Sequence, residues 1–193
     1  MMVEYNIPTL LTFTRIALTF LIVIIFYLPW EYSNIACMVI FSIAGFTDWL
    51  DGHLARKMGQ HTNFGAFLDP VADKLLVVLT LVIIIETESS IFMTIPAAII
   101  IGRELVISAL REWMASSGQR DVVAVSNLGK WKTGTQMVAI GCLLFSDDLL
   151  FLPVSALGYV LLYIAAVITV VSMYQYLSAV FGGNKDNSEK VVS

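Results

Sequence analysis

The chain has 193 residues, 58% of them apolar and 13% charged, with a formal net charge of -4 and a mean hydropathy of +0.83. Soluble domains carry about 25% charged residues, so this composition excludes a disordered chain, and the acidic balance speaks against a nucleic-acid partner. One integral membrane domain remains, because spans of about 20 apolar residues each would take up nearly all of the length.

The N-terminal stretch MMVEYNIPTLLTFTRIAL carries Glu4 and no basic residue ahead of its apolar part. No small-residue cleavage pattern follows, so no removable signal peptide is expected. Six apolar runs then succeed one another at residues 8–29, 33–55, 66–85, 91–110, 133–151 and 154–178, each long enough to be read as a transmembrane helix. Three connectors hold acids and neither Lys nor Arg: Glu31, then Glu86 and Glu88, then Asp147 and Asp148. The alternate connectors hold Arg56 and Lys57, then Arg111, Arg120, Lys130 and Lys132, and the tail adds Lys185 and Lys190. Basic residues collect on the cytoplasmic side. The alternation therefore predicts an all-α integral membrane protein of six transmembrane helices with both termini cytoplasmic. The expected organisation is one six-helix membrane domain, 1–181, and a polar cytoplasmic tail, 182–193.

Cys37 and Cys142 lie inside apolar runs without a neighbouring His or a C-x-x-C spacing and read as packing residues. Tyr27, Trp30 and Tyr32 flank the first outer connector, and Trp113 and Trp131 flank a cytoplasmic one, where indole and phenol suit the bilayer interface.

Acids inside the spans are the anomaly. An Asp near the bilayer centre costs about 2.5–3.5 kcal/mol on insertion scales, yet Asp48 and Asp51 close the second run, and Asp69 and Asp73 open the third. Asp48 stands ~12 Å along a helix from Arg56. Asp48 and Asp51, at i and i+3, share a helix face with Gly52 and Ala55, and Asp69 and Asp73, at i and i+4, share a face of the next helix. The short loop between them predicts antiparallel neighbours whose cytoplasmic ends meet. Gly52 and Ala55 leave room on that face for a phosphate or a second backbone. Pro70 directly after Asp69 disfavours helix there and predicts a helix start or a kink.

Carboxylate oxygens without His or Cys suit a hard cation, Mg²⁺ or Mn²⁺, as two divalent ions shared by the four acids. Such a pair could hold a pyrophosphate and stabilise a leaving group. Intramembrane acids also line cation pathways, so a divalent-cation transporter is an alternative. Structural pairing of the acids with Arg56, Lys74 or Arg103 is another.

Read through, the segment is DWLDGHLARKMGQHTNFGAFLDPVAD, Asp48 to Asp73. It resembles the signature of the CDP-alcohol phosphatidyltransferases, D-x2-D-G-x2-A-R-x8-G-x3-D-x3-D, at Asp48, Asp51, Gly52, Ala55, Arg56, Gly65, Asp69 and Asp73. The likeness continues in NIPTLLTFTRI from Asn6 and in Ile101 to Met137, where it is closest to bacterial members that use glycerol 3-phosphate. It implies a six-helix fold, usually a homodimer, in which CDP-diacylglycerol donates a phosphatidyl group to an alcohol and CMP leaves. The site would face the cytoplasm from a bacterial inner membrane, among membrane lipids.

By position, the resemblance implies that Asp48, Asp51 and Asp69 are metal ligands, and that Asp73 is both near the metals and the general base. It further implies that Gly52, Arg56 and Thr62 contact the CDP moiety, as do Asn6, Pro8 and Thr9. Pro8 would equally start a helix, Asn6 and Thr62 would equally cap one, and Arg56 would serve as an interfacial topology charge. A carboxylate beside metal ions is a weak base in isolation, so polarisation of the alcohol or charge developing on the phosphate must assist it.

Acceptor identity rests on the bases. Glycerol 3-phosphate brings a dianion that calls for Arg and Lys, and Arg103, Arg111, Arg120, Lys130 and Lys132 fall between the fourth and fifth spans or just inside them. Arg103 lies within a span and is least explained by topology; pairing to Glu104 or an Asp is its structural alternative. Contact with anionic lipid is the alternative for the group as a whole. Other phosphorylated acceptors, inositol phosphate or phosphatidylglycerol, are the runners-up.

Overall fold

A computed structural model describes residues 7–58, 63–116, 127–146 and 153–189. Among these residues it is all helix, in the order α1 (Ile7–Phe26), α2 (Ser33–Met58), α3 (Asn63–Glu88), α4 (Ile91–Ser116), α5 (Asn127–Phe145) and α6 (Val154–Glu189). Each expected apolar run holds one helix.

Local chemistry closes the links on the side away from the four acids. Ser89 ends α3 in the left-handed region (φ 44), with its N–H donating to the Ile85 carbonyl at 3.0 Å. Ser90 then starts α4: its hydroxyl accepts from the Phe92 N–H at 3.3 Å, the usual N-cap geometry. A two-residue turn thus reverses the chain. Ser146 (φ 58) ends α5 in the same way, with its N–H donating to the Cys142 carbonyl at 3.3 Å. Both serines occupy a position that glycine fills without steric cost.

Three expectations need correction. Pro70 does not start a helix: α3 begins at Asn63 and runs through it. One lost backbone bond is tolerated inside a long apolar helix whose neighbours pack around it. Lys130 and Lys132 do not lie in a connector, because α5 begins at Asn127 and Lys132 is 1% exposed. An ammonium paired to a carboxylate of a neighbouring helix can be buried where an unpaired one cannot. Finally, α2 and α3, expected as antiparallel neighbours, do meet at the ends that carry Asp48, Asp69 and Asp73, but among the described residues they do not pack along each other. Helix α1 packs along both of them, whereas they touch each other only slightly.

The packing divides the bundle into two halves, α1 with α2 and α3, and α6 with α4 and α5, joined where α5 meets α2 and α3 meets α4. Small residues at the contacts let backbones approach closely, among them Ala44, Ala97, Ala139 and Ala165, each fully buried. Ile22, Phe41, Leu81, Ile140 and Leu162 fill the space between. Cys37 is buried and Cys142 partly so, and both are free thiols, which matches their reading as packing residues.

The outer surface is strongly apolar, with Leu10, Phe20, Ile24, Phe92, Leu105 and Val167 exposed. A soluble monomer rarely shows such a surface, but lipid demands it. Thr9–Phe26, Ile91–Met114 and Val154–Ser178 are long and apolar enough to cross a membrane, while Ser33–Asp48 is a shorter apolar stretch. Helices α2 and α5 fall short because each gives one end to charged residues, and α3 because it has them at both, Asp69, Asp73 and Lys74 near one end and Glu86 and Glu88 at the other.

Candidate active site

Helix α1 carries a buried polar stripe through a sequence that is apolar elsewhere except at exposed Thr14: Thr9, Thr12, Arg15 and Thr19, all 3% exposed or less. The spacing places them on neighbouring positions of one helix face. Thr19 donates its hydroxyl proton to the Arg15 carbonyl at 2.9 Å, which satisfies it within the helix. Arg15 instead reaches out between α2 and α3. Its Nη1 lies 3.1 Å from Asp48 Oδ1 and 3.1 Å from Asp69 Oδ1, and it also pairs with Asp73.

Asp48, Asp69 and Asp73 therefore converge, as their spacing predicts, but through a residue of a third helix. Each offers an oxygen, and the three oxygens lie within 4.8 Å of one another. An all-oxygen set at this separation fits a hard divalent cation. The carboxylates are 42–46% exposed, whereas the Arg15 side chain is fully buried, so anionic oxygen is what the site presents to its surroundings. Asp51 follows Asp48 by one turn of α2; its side chain lies outside the described residues. Among the described side chains, Arg15 rather than Lys74 or Arg103 is the ion-pair partner of these acids; the Arg56 side chain, the other expected partner, lies outside the described residues.

A second ionic cluster joins α4, α5 and α6. Lys132 pairs with Glu104, and Arg103 Nη1 lies 3.6 Å from the same Glu104 oxygen. Arg103 Nη2 also donates to Ser172 Oγ at 3.0 Å. Two turns further along α4, the Arg111 guanidinium stands 5.8 Å over the Tyr176 ring, within cation–π range. Arg103 Nε, the Tyr176 hydroxyl and Gln136 Oε1 are buried and have no hydrogen-bond partner among the described residues. Gln136 lies one turn beyond Lys132 on α5, so the cluster combines excess positive charge with unused hydrogen-bonding capacity. Polar groups buried in this way are expensive unless something pairs with them.

The CDP-alcohol phosphatidyltransferase family model matches residues 5–171, which takes in the carboxylate cluster with Arg15 and, of the second cluster, Arg103, Glu104, Arg111 and Lys132; Ser172 and Tyr176 lie just beyond it. The chain belongs to this family. Its relatives include a protein of Haemophilus influenzae, 53% identical over 184 residues that make up 95% of this chain and 98% of the relative. A Salmonella choleraesuis protein is 51% identical over 179 residues, 93% of this chain and 97% of the relative. One from Pectobacterium atrosepticum is 52% identical over 176 residues, 91% and 95% respectively. All three are named CDP-diacylglycerol--glycerol-3-phosphate 3-phosphatidyltransferase.

In this phosphatidyltransferase family member, the expected donor contacts are only partly in view. Thr9 is buried on α1, on the stripe that leads to Arg15. Pro8, Gly52 and Arg56 lie on helical backbone, with the surroundings of Gly52 and the side chains of Pro8 and Arg56 outside the described residues, as is all of Asn6 and Thr62. Of the expected acceptor residues, Arg103 and Lys132 come together and Arg111 stands nearby on α4. The Lys130 side chain and the whole of Arg120 lie outside the described residues. Sequence reasoning does not single out Arg15, Glu104, Ser172 and Tyr176 as site residues. The readable signal for Arg15 is Thr-x2-Thr-x2-Arg-x3-Thr at helical spacing, a polar stripe too deep in an apolar run to be a surface face.

Proposed function

We propose that the protein transfers the phosphatidyl group of CDP-diacylglycerol to the hydroxyl of sn-glycerol 3-phosphate, forming phosphatidylglycerophosphate and CMP. The observation that carries this reading is the pairing, in one bundle, of a three-carboxylate cluster with a cluster of opposite charge. The relatives' shared name agrees with it.

Donor and acceptor make complementary demands. A pyrophosphate needs its charge neutralised at the bridging oxygen. When bound, a pair of Mg²⁺ or Mn²⁺ ions held by Asp48, Asp51, Asp69 and Asp73 would supply that and stabilise the departing CMP. Asn6, Pro8, Thr9, Gly52, Arg56 and Thr62 would hold the CDP moiety. An apolar groove of about 740 Å³ between α2 and α5, lined by Met38, Phe41, Gly45, Met137, Gly141 and Phe145, ends one turn before Asp48. That position suits an acyl chain of a donor whose phosphates lie at the carboxylates.

The acceptor dianion would be held by Arg103, Arg111, Arg120, Lys130 and Lys132, whose N–H groups match phosphate oxygens. Asp73 takes the proton of the acceptor hydroxyl, and the freed oxygen attacks the diacylglycerol-bearing phosphorus. The bond to the CMP oxygen breaks.

The same reading places six spans and both termini on the cytoplasmic side of a bacterial inner membrane, in a homodimer, with 182–193 as a cytoplasmic tail to the 1–181 membrane domain. Its support is charge asymmetry. At the far end of α3 the charges are acids, Glu86 and Glu88, which accept hydrogen bonds from Tyr27 and Tyr159, whereas Arg and Lys gather toward the other end.

Release of CMP by the purified protein, with CDP-diacylglycerol and Mg²⁺, tests the reaction across acceptors. Glycerol 3-phosphate is expected to support release, with serine, inositol phosphate and phosphatidylglycerol near background. Metal-dependent release with one of those and none with glycerol 3-phosphate would overturn the acceptor assignment.

A further inference from the structure

Arg15 is fully buried, yet its partners are the half-exposed carboxylates of two other helices. A guanidinium so desolvated is retained only where opposite charge surrounds it, and here that charge is the same oxygen set that fits a divalent cation. Both cannot enjoy these oxygens at full strength. A divalent ion seated among Asp48, Asp69 and Asp73 would stand within a few ångströms of a fixed positive charge, in surroundings that screen poorly. The three carboxylates, for their part, would repel one another if nothing neutralised them.

We propose that Arg15 is the built-in counter-cation of the carboxylate cluster. It holds Asp48, Asp69 and Asp73 together while no metal is bound, and it gives up their oxygens when a divalent cation arrives. Metal uptake is then an exchange, and Arg15 lowers metal affinity while keeping the ligands assembled. It is a positioning residue, acting through the carboxylates. The inference rests on the reading of those carboxylates as the cation site.

A tether and a counter-cation predict opposite outcomes. If Arg15 only braced α1 against α2 and α3, its loss would loosen the ligands and weaken metal binding. If it competes for the oxygens, its loss must tighten binding, by about tenfold or more given the charges and distances involved. Binding of Mn²⁺ to the full-length protein in detergent, read from the free-ion electron paramagnetic resonance signal, separates the two without any turnover. Arg15→Gln is expected to bind Mn²⁺ at least about tenfold more tightly than wild type, and Arg15→Lys, which keeps the charge, to stay close to wild type. Equal or weaker binding by Arg15→Gln overturns the proposal.

Stability gives a second readout of the lost counter-charge. Mn²⁺ is expected to raise the melting temperature of Arg15→Gln more than that of wild type, since at a given ligand concentration tighter binding stabilises the folded state more. An Arg15→Gln protein that stays unfolded at saturating Mn²⁺ counts against the proposal. Asp48→Asn keeps the two readings apart. If wild type binds Mn²⁺ and Asp48→Asn binds it equally well, the cation-site reading fails; if only Asp48→Asn loses affinity and Arg15→Gln gains none, the counter-cation fails alone.

Discussion

The two ionic clusters are built on one plan with the signs reversed. In the α1–α3 half, three carboxylates surround one guanidinium; in the α4–α6 half, Arg103 and Lys132 share the single carboxylate of Glu104, with Arg111 further along α4. Among the described residues each has one ion-paired residue of the minority sign and more than one of the majority sign. The burial differs in an instructive way. Around Arg15 the majority side chains are 42–46% exposed and the minority one is sealed, whereas the side chains of Lys132 and Arg103 are 2% and 12% exposed and that of Glu104 is 20%. The first cluster offers anionic oxygen to an ion arriving from water. The second keeps its cations within the bundle, beside unpaired donors and acceptors such as Arg103 Nε and Gln136 Oε1, and suits a small anionic molecule that enters and is enclosed. Under the proposed function, the first half would hold the metal and the donor pyrophosphate, and the second the acceptor phosphate.

If the halves are so divided, damage to each should have its own kinetic signature. The largest effect is expected from Asp73→Asn, which removes a cation ligand and the proposed base together. Turnover should fall by about 10²–10⁴-fold, with CMP release as the readout, and near-normal turnover would sink the base assignment. In the other half, Lys132→Met should raise the KM for glycerol 3-phosphate by about 10- to 100-fold, the worth of a charge-assisted hydrogen bond. Donor KM should hardly move. A loss confined to donor affinity would mean that the division between the halves is wrong.

Much of this is legible in the sequence, and what is not has a common cause. Six apolar runs become six helices because lipid leaves the backbone no other way to pair within a single segment. Asp69 and Asp73 face one way because residues four apart must. Neighbour order is different in kind. Periodicity shows which face of α1 is polar, but not that α1 lies between α2 and α3. Arg15 therefore does not declare its role in the sequence, since its partners stand on other helices, Asp69 and Asp73 being 54 and 58 residues away. Lys132 reads as a connector residue for the same reason: Glu104, 28 residues earlier, makes its burial tolerable, and nothing adjacent in the chain announces that pairing.

Smaller effects sharpen the comparison through packing. The basic half depends on a tight α5–α6 contact, where a Cβ at Gly158 would fall 2.8 Å from Leu143 Cγ and 3.1 Å from Cys142 Cβ. Gly158→Ala should cost about 1–3 kcal/mol of stability, seen as a lower melting temperature in detergent, with acceptor KM rising more than donor KM. By contrast, a methyl group added at Gly102, on α4 beside Arg103, would meet nothing within 4 Å among the described residues. Gly102→Ala should be neutral or stabilise by up to about 1 kcal/mol, the helix-propensity gain alone. Loss of acceptor binding in that variant would show that the cleft extends over Gly102.

The central claim is that the carboxylate half and the basic half serve one reaction between two phosphate-bearing substrates. Mass spectrometry of the lipids formed by the protein in liposomes containing CDP-diacylglycerol, with Mg²⁺ and glycerol 3-phosphate outside, tests it most directly. The expected result is phosphatidylglycerophosphate appearing in equal amount to CMP, and neither appearing when glycerol 3-phosphate or the metal is withheld. CMP accompanied by phosphatidate, with no phosphatidylglycerophosphate, would contradict the account, because water rather than the acceptor would then be the nucleophile.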